Sequence, residues 1–146
     1  MKTINKNFMW YKSYSLEEIN KLFAKNMTGF LGIEAIEITE GSIVARMPVT
    51  DKVKQPYGLL HGGASVVLAE SVGSVATNLI VDPEKYIGVG LEVNANHLRP
   101  VLSGEVTAIC MPLHIGGKTH VWDIKIKDGK GRLTCVSRLT VAIIRK

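Results

Sequence analysis

At 146 residues, 46% of them hydrophobic and 21% charged, the chain has the length of one ordinary domain, residues 1–146, and the composition of a globular protein with a sizeable core. Its formal net charge of +5 would attract an anionic partner, but the lysines form no basic run and no pattern with aromatic residues, which argues against nucleic acid as that partner. Because no segment approaches the roughly 18 apolar residues of a membrane span, and no apolar segment follows the charged N-terminus, we expect a cytoplasmic protein that is not inserted in a membrane.

The first part of the chain predicts a short helix and a hairpin. Residues 15–26 have apolar side chains at helical spacing, and Ser15 followed three positions later by Glu18 has the pattern of a capping box, in which each residue satisfies a free N–H group of the other. Residues 33–38 and 42–48 are rich in β-branched side chains and are separated by a Glu-Gly pair. They are therefore predicted as two strands joined by a tight turn.

The segment of residues 62–80 is the only candidate for a long helix in the sequence. It follows a loop of residues 52–60, which contains Pro56 and Gly58 and shows no apolar period. At about 100° per residue, its side chains divide into two arcs. The apolar arc comprises Val66, Leu68, Ala69, Val72, Val75, Ala76, Leu79 and Ile80, and the polar arc comprises Glu70, Ser71, Ser74, Thr77 and Asn78. The pattern predicts a helix that is buried on one side and carries chemical groups on the other.

The strands predicted after this helix comprise residues 87–95, 105–113, 120–127 and 132–144. The third alternates most clearly, with Trp122, Ile124 and Ile126 on one face and charged residues on the other, which predicts one buried and one wet face. Short connections between consecutive strands favour an antiparallel sheet. The fold class is therefore α+β, in the order helix, two strands, long helix and four strands.

The start of the long helix suggests a binding site for a polarised carbonyl group. His61, Gly62 and Gly63 stand where the first amide groups of a helix lack intrahelical acceptors, and a glycine lets a ligand approach the backbone closely. A carbonyl oxygen that gains negative charge would be stabilised there. The two glycines are explained equally well by a tight turn into the helix.

Glu70 is the second feature of interest, because it lies in the middle of the helix among apolar neighbours, where an unpaired carboxylate is costly. A catalytic role and a structural hydrogen bond both account for it. The rise between His61 and Glu70 is about 13 Å, or about two and a half turns, so the two side chains face opposite ways. If both act on one substrate, two copies of the chain must supply them, and twofold symmetry then gives a homodimer with two equal sites.

Several segments carry a resemblance to known proteins. The longest is residues 55–74, with the sequence QPYGLLHGGASVVLAESVGS, and the others are residues 90–99, 112–116, 121–122 and 137–140. The first resembles the signature of the PaaI-like hotdog-fold thioesterases, and the rest resemble bacterial 1,4-dihydroxy-2-naphthoyl-CoA thioesterases and their aroyl-CoA relatives. The resemblance covers residues 29–144; residues 1–28 match less well and are interpreted as an N-terminal extension with a short helix.

The resemblance implies a hotdog fold, in which an antiparallel β-sheet wraps around the long central helix. It also implies hydrolysis of an acyl-CoA thioester at a dimer interface, with no metal and no other cofactor, by homodimers that pair into homotetramers. Glu70 would act as nucleophile or as general base on water, and the Gly62 amide would polarise the thioester carbonyl. Gln55 would orient the carbonyl or the water, His61 would support the leaving thiolate, and Ser74 would orient water or Glu70.

The same resemblance assigns a further set of residues to the CoA part of the substrate: Gly90, His97, Leu98, Arg99, Pro100, His114, Gly116, Gly117, Lys118 and Thr119. Arg99 and Lys118 are chemically suited to phosphate groups, although a solvated surface charge explains each of them without a ligand. The loop that contains Lys118 is accordingly expected to contact the nucleotide end of CoA.

Metal and thiol chemistry find less support in the sequence. No pair of histidines has the spacing, with a nearby carboxylate, that is typical of a zinc site. The histidines considered are His61, His97, His114 and His120. Cys110 and Cys135 each lie in an apolar, strand-like segment, which favours buried free thiols over a disulfide or a nucleophile.

The expected substrate is an aromatic acyl-CoA, of hydroxybenzoyl or 1,4-dihydroxy-2-naphthoyl type. The alternatives are a thioesterase for medium-chain acyl-CoA or carrier-protein thioesters, a hotdog hydratase or dehydratase, and an acyl-CoA-binding regulator without catalysis. A regulator would be expected to carry a DNA-binding segment, and the residues before residue 29 predict one helix rather than a helix-turn-helix. Hydrolysis therefore remains the leading hypothesis.

Overall fold

The structure is a computed structural model that describes residues 9–146, so the charged start of the predicted N-terminal extension lies outside the described residues. The helices are α1 (Leu16–Phe23), α2 (Asn26–Phe30) and α3 (Gly62–Ile80), with a 3-10 turn at Asp51–Val53. The strands are β1 (Glu34–Ile38), β2 (Ile43–Pro48), β3 (Tyr86–His97), β4 (Glu105–Ile115), β5 (Thr119–Asp128) and β6 (Leu133–Arg145). The six predicted strands and the long helix are confirmed to within two residues at each end.

The six strands form one antiparallel sheet in the order β1-β2-β4-β5-β6-β3. Helix α3 packs on one face of this sheet and contacts β2 through β6. The predicted alternation of β5 is confirmed, because Trp122, Ile124 and Ile126 are fully buried while the residues between them are half-buried or exposed. The core therefore lies between α3 and the inner face of the sheet.

The N-terminal helix begins as predicted and ends earlier. Ser15 Oγ accepts a hydrogen bond from Glu18 N–H (3.1 Å), and the Glu18 carboxylate accepts one from Ser15 N–H (2.9 Å), so the predicted capping box is confirmed. The prediction of one helix over residues 15–26 is wrong at its end. Helix α1 stops at Phe23, and Asn26 has a left-handed φ of 56°, which separates α1 from the short α2.

Helix α3 buries one face, as its pattern predicts, but the buried face is wider than the apolar arc. Leu68, Val72 and Ala76 are fully buried. Thr77, which the sequence pattern assigned to the polar arc, is also fully buried, so that assignment is wrong. The hydroxyl of Thr77 accepts a hydrogen bond from Trp122 Nε1 (2.8 Å), which satisfies both polar groups inside the core.

By length and composition alone, α3 is apolar enough to cross a membrane, which corrects the expectation that no segment of this sequence approaches a span. In the fold it is the central helix, with 44% of its most apolar window buried and strands of the sheet in contact with it. Core helices in that position meet the same criteria, so this property is weak evidence for insertion.

Strand β3 forms one edge of the sheet. It is 12 residues long and pairs on one side with β6, and no strand of residues 9–146 pairs with its other side. A β-bulge interrupts the ladder, since Gly90 pairs with Val141 and Glu92 pairs with Thr140, which leaves Leu91 without a partner. Leu91 is 66% exposed. A long, exposed and partly apolar edge strand is a surface suited to pairing with another strand.

Candidate active site

The N-terminus of α3 presents an unpaired backbone amide. His61 caps the helix, because its Nδ1 accepts a hydrogen bond from Gly63 N–H (2.8 Å). The N–H groups of Ala64 and Ser65 both donate to the His61 carbonyl oxygen, at 3.0 and 3.4 Å. Among the residues that the structure describes, Gly62 N–H has no acceptor. The positive end of the helix dipole further favours a negatively charged oxygen at this amide.

Two imidazole rings adjoin Gly62. His97, at the end of β3, lies so close that a Cβ added to Gly62 would stand 2.8 Å from His97 Nε2. The ring can occupy this position only because residue 62 has no side chain. His61 uses Nδ1 as the acceptor in the helix cap, so its neutral ring carries the proton on Nε2, which is free to donate.

A cleft of about 360 Å³ opens beside Gly62. It brings together part of the predicted catalytic set and part of the predicted CoA-binding set. The predicted residues that line it are Gln55, Gly62, His97, Leu98, Arg99 and Pro100. These residues come from the loop before α3, the start of α3, and the end of β3 with the connection that follows. The cleft is therefore the place where one chain could hold a thioester carbonyl.

Two hydroxyl groups in this cleft were not predicted. Ser65 and Thr134 both line it and are 4% and 3% exposed. Ser65 lies three residues after Gly62, so helical spacing would have identified it. Thr134 reaches the cleft only through the pairing of β6 in the sheet, and no local pattern marks it. Gln55 adds a donor, because its Oε1 accepts a hydrogen bond from Tyr57 N–H and its Nε2 is left for a ligand.

Glu70 does not line this cleft. It lies about 12 Å further along α3 than Gly62, and it is half-buried. Its Oε1 faces β3, at 2.5 Å from the position that a Cβ would take at Gly90, so any side chain at residue 90 would displace the carboxylate. No ion pair of the described residues involves Glu70. One chain thus carries two separate parts of the predicted site.

Asn78 fixes the strand segment that faces Glu70. Its Oδ1 accepts a hydrogen bond from Gly88 N–H (2.9 Å), and its Nδ2 donates to the carbonyl oxygens of Ser74 (2.9 Å) and Gly88 (3.3 Å). Because Gly88 precedes Gly90 by two residues, these bonds hold the strand at a fixed distance from α3. Ser74 is half-buried, one turn beyond Glu70, where the sequence predicted it. Asn78 was recognised as polar, but no role was predicted for it.

The residues predicted to bind CoA lie at two ends of the sheet. His97 pairs with Cys135 of β6, whereas Thr119 pairs with Ala142 of the same strand. Cys135 and Ala142 are seven residues apart on β6, so His97 and Thr119 lie about 23 Å apart along the strand direction. Gly90 and the β4-β5 loop lie at the end opposite to the cleft. Within one chain the structure therefore does not bring the two groups together.

The remaining titratable groups of the core are not arranged as nucleophiles. Cys110 and Cys135 are free and buried, as predicted, and burial raises the pKa of both thiols. His120 is 2% exposed, and burial lowers its pKa although a hydrogen bond to the Gly116 backbone opposes that change. Residues 9–146 contain no group of three or more His, Cys, Asp or Glu side chains that could hold a metal ion.

Known proteins are similar to this chain in sequence and in fold. The sequence model of the Thioesterase superfamily matches residues 57–135. The chain is 52% identical to a 1,4-dihydroxy-2-naphthoyl-CoA hydrolase of Escherichia coli K12, over 93% of this chain and 99% of that protein. It is 42% identical to a proofreading thioesterase of Klebsiella pneumoniae, over 92% and 98%. A solved structure of a mutant thioesterase of Pseudomonas aeruginosa superposes with a TM-score of 0.92 at 46% identity, covering 94% of this chain and 99% of that one.

Proposed function

Because the chain belongs to the thioesterase superfamily and is a thioester hydrolase with the hotdog fold, we propose that it hydrolyses an aromatic acyl-CoA to the free acid and CoA. The acyl group would be of hydroxybenzoyl or 1,4-dihydroxy-2-naphthoyl type. The support for this choice is the name of the Escherichia coli relative, which is 52% identical over nearly its whole length. The buried free cysteines suit a reducing compartment, so we place the activity in the cytoplasm.

The open amide of Gly62 is the observation that carries the proposal. When the carbonyl carbon of a thioester is attacked, its oxygen becomes negatively charged, and a donor already aimed at that position lowers the barrier. The Gly62 N–H meets this requirement, because it is unpaired and stands at the positive end of α3. The free Nε2 of Gln55 offers a second donor in the same cleft.

Glu70 is proposed as the group that attacks the carbonyl carbon or deprotonates the attacking water. Since Glu70 lies about 12 Å from Gly62 of its own chain, it would act on a thioester held by a second copy. The unpaired edge of β3 supports such an arrangement, because twofold pairing along this edge would bring the two α3 helices together. We infer a homodimer with two shared sites, and we propose that two such dimers form a homotetramer.

The chemical step balances for either role of Glu70. As nucleophile, a carboxylate oxygen bonds to the carbonyl carbon, the C–S bond breaks, and its electron pair leaves with the CoA thiolate, which His61 Nε2–H would stabilise. Water oriented by Ser74 then hydrolyses the mixed anhydride. As general base, Glu70 takes a proton from a water molecule whose oxygen bonds to the same carbon; the C–S bond then breaks, and the CoA thiolate leaves with the electron pair and takes up the proton from Glu70. In both cases the negative charge on the carbonyl oxygen is held by the Gly62 amide.

The substrate is tested by measuring thiol release from hydroxybenzoyl-CoA and decanoyl-CoA at matched concentrations. We expect kcat/KM to be about tenfold or more higher for the aromatic thioester. A higher value for decanoyl-CoA would overturn the aromatic assignment and favour the medium-chain alternative. Loss of the absorbance of an enoyl-CoA without thiol release would instead indicate a hydratase.

A further inference from the structure

We propose that a second hollow, formed by the β3-β4 connection and the turn between β5 and β6, binds phosphate groups at the nucleotide end of CoA, with Lys130 as its free cation. The inference rests on the proposed function, since it concerns the same substrate. The hollow has a volume of about 290 Å³ and shares Pro100 and Val101 with the cleft beside Gly62. A ligand that extends out of the cleft past Pro100 therefore meets this hollow next.

The junction between the cleft and the hollow is held in place by β6. Leu98 N–H donates a hydrogen bond to the carbonyl oxygen of Thr134, and Arg99 Nη1 donates to that of Leu133, both at 2.8 Å. One contact orients the Arg99 guanidinium, and no carboxylate of the described residues pairs with it. Arg99 therefore keeps further N–H donors for an anion at the point where the two cavities meet.

The hollow has an excess of positive charge. Its carboxylate, Asp128, already accepts hydrogen bonds from the N–H groups of Lys130 (3.0 Å) and Arg132 (2.9 Å) and from the Arg132 guanidinium (2.8 Å). These bonds, led by the Arg132 backbone N–H, hold the pKa of Asp128 below its usual value. The ammonium group of Lys130 has no ion pair among the described residues. Because Asp128 is bonded to Arg132, Lys130 carries the unbalanced positive charge of the hollow, and Arg99 lines the adjoining cleft.

The order of groups along CoA matches the order of groups along this path. The pantetheine arm carries two amides on an otherwise apolar chain, and the cleft offers apolar walls with the hydroxyls of Ser65 and Thr134. The diphosphate follows the arm, where Arg99 is available. The phosphorylated adenosine comes last, where Lys130 and the hydroxyl of Ser103 line the hollow.

Within one chain, this assignment differs from the expectation that Lys118 contacts the nucleotide. The β4-β5 loop that carries Lys118 lies at the opposite end of the sheet from His97, about 23 Å away along the strands. A substrate whose carbonyl is bound at Gly62 of the same chain reaches Lys130 without crossing the sheet. The nucleotide of such a substrate does not reach Lys118 of the same chain.

The test compares two thioesters of the same aroyl group, one of CoA and one of pantetheine, in Lys130→Ala and Lys130→Glu variants. For aroyl-CoA we expect KM to rise about fivefold in Lys130→Ala and further in Lys130→Glu, as for one screened charge contact. The KM for aroyl-pantetheine, which lacks the nucleotide, should stay within about twofold, and so should kcat for both. Lys127→Ala, on the neighbouring strand, serves as the matched control, and Lys118→Ala tests the other location.

The nucleotide fragment 3′,5′-ADP gives a readout that does not require turnover. Its dissociation constant, measured by calorimetry, should rise in Lys130→Glu by the same factor as the KM for aroyl-CoA. An unchanged KM in Lys130→Glu, an equal rise for both thioesters, or an effect of Lys118→Ala in place of Lys130 would overturn the inference. If the native protein hydrolyses neither thioester, the proposed function fails, and 3′,5′-ADP binding still decides whether the hollow holds phosphate groups.

Discussion

The two faces of α3 differ in how their polar groups are treated. On the face toward the sheet the buried Thr77 is paired with Trp122, and no fully buried side-chain N or O atom of the described residues lacks a partner. On the face toward the edge strand, Glu70 has no ion pair and the amide of Gly62 has no acceptor within residues 9–146. Unpaired groups weaken a fold but are available to a substrate. The packed face thus holds the helix rigid so that the other face can present such groups at a fixed spacing.

The largest expected effect comes from removing Glu70, the carboxylate on the face of α3 that also carries Gly62. Glu70→Ala should lower kcat by on the order of 10³-fold, because the attacking group is lost, while the melting temperature stays close to that of the native protein. The measurement is thiol release from an aroyl-CoA. Glu40→Ala, at an exposed carboxylate in the turn between β1 and β2, is the matched control and should keep its activity. A Glu70→Ala variant with more than a tenth of the native kcat would contradict the assignment.

Mixing two inactive variants tests whether Gly62 of one chain and Glu70 of another act on the same substrate. Dimers of one Glu70→Ala chain and one Gly62→Ala chain contain one intact site if Glu70 acts on the thioester bound by the other copy. After random exchange, about one quarter of the native activity should return. No recovery after subunit exchange has been confirmed by mass spectrometry would count against shared sites.

Gly62→Ala is expected to have the next largest effect. The added methyl group would stand 2.8 Å from His97 Nε2, so the ring or the start of α3 must shift, and the amide loses its alignment with the carbonyl oxygen. We expect kcat/KM to fall about 10²-fold, the typical loss for one oxyanion donor. Gly41→Ala is a suitable control, since a Cβ there meets no atom within 4 Å. Activity of Gly62→Ala within twofold of the native protein would remove the amide from the mechanism.

The sequence pattern identified the elements because α3 and β5 each show one clear period, of 3.6 and of 2 residues. It placed Thr77 on the polar arc because a hydroxyl is a polar group. The hydrogen bond that allows its burial comes from Trp122, 45 residues further along the chain, and local pattern does not reveal that partner. Ser65 was within reach through its spacing from Gly62, but Thr134 was not, since only the register of β6 brings it to the cleft. Residues joined by sheet pairing are the ones that local pattern does not reveal.

The separation of the CoA-binding residues has the same cause. The resemblance grouped Gly90, His97 and Lys118 by role, and nothing in the sequence gives their places along the strands. The registers of β3 and β5 with β6 set His97 and Thr119 at levels about 23 Å apart. The capping box at Ser15, by contrast, was predictable in detail because both of its bonds are made within four residues.

Thr77→Val tests the packed face and should affect stability without affecting chemistry. The valine has nearly the same shape but leaves Trp122 Nε1 without an acceptor in the core, which should lower the free energy of unfolding by about 2 kcal/mol. The melting temperature should fall by roughly 5 °C, with kcat within about twofold. Thr140→Val, half-buried on the other face of the sheet, is the control. A large loss of kcat in Thr77→Val at full stability would show that the two faces are not independent.

The smallest expected effect is a pH dependence of the free energy of unfolding that arises from the buried ring of His120. Burial holds the pKa of His120 below its usual 6.5, so above pH 6.5 the ring is neutral in both the folded and the unfolded chain. As the pH falls below 6.5, the unfolded chain takes up a proton that the folded chain does not, and the free energy of unfolding declines by up to about 1.4 kcal/mol per pH unit until the folded pKa is reached. Urea unfolding at pH 7.5 and 5.5 should therefore show a smaller decline for His120→Gln than for the native protein. His114→Gln removes a nearby charge that also lowers the pKa of His120, so it should keep most but not all of the native decline, and an identical decline for His120→Gln and the native protein would mean that His120 titrates normally in the fold.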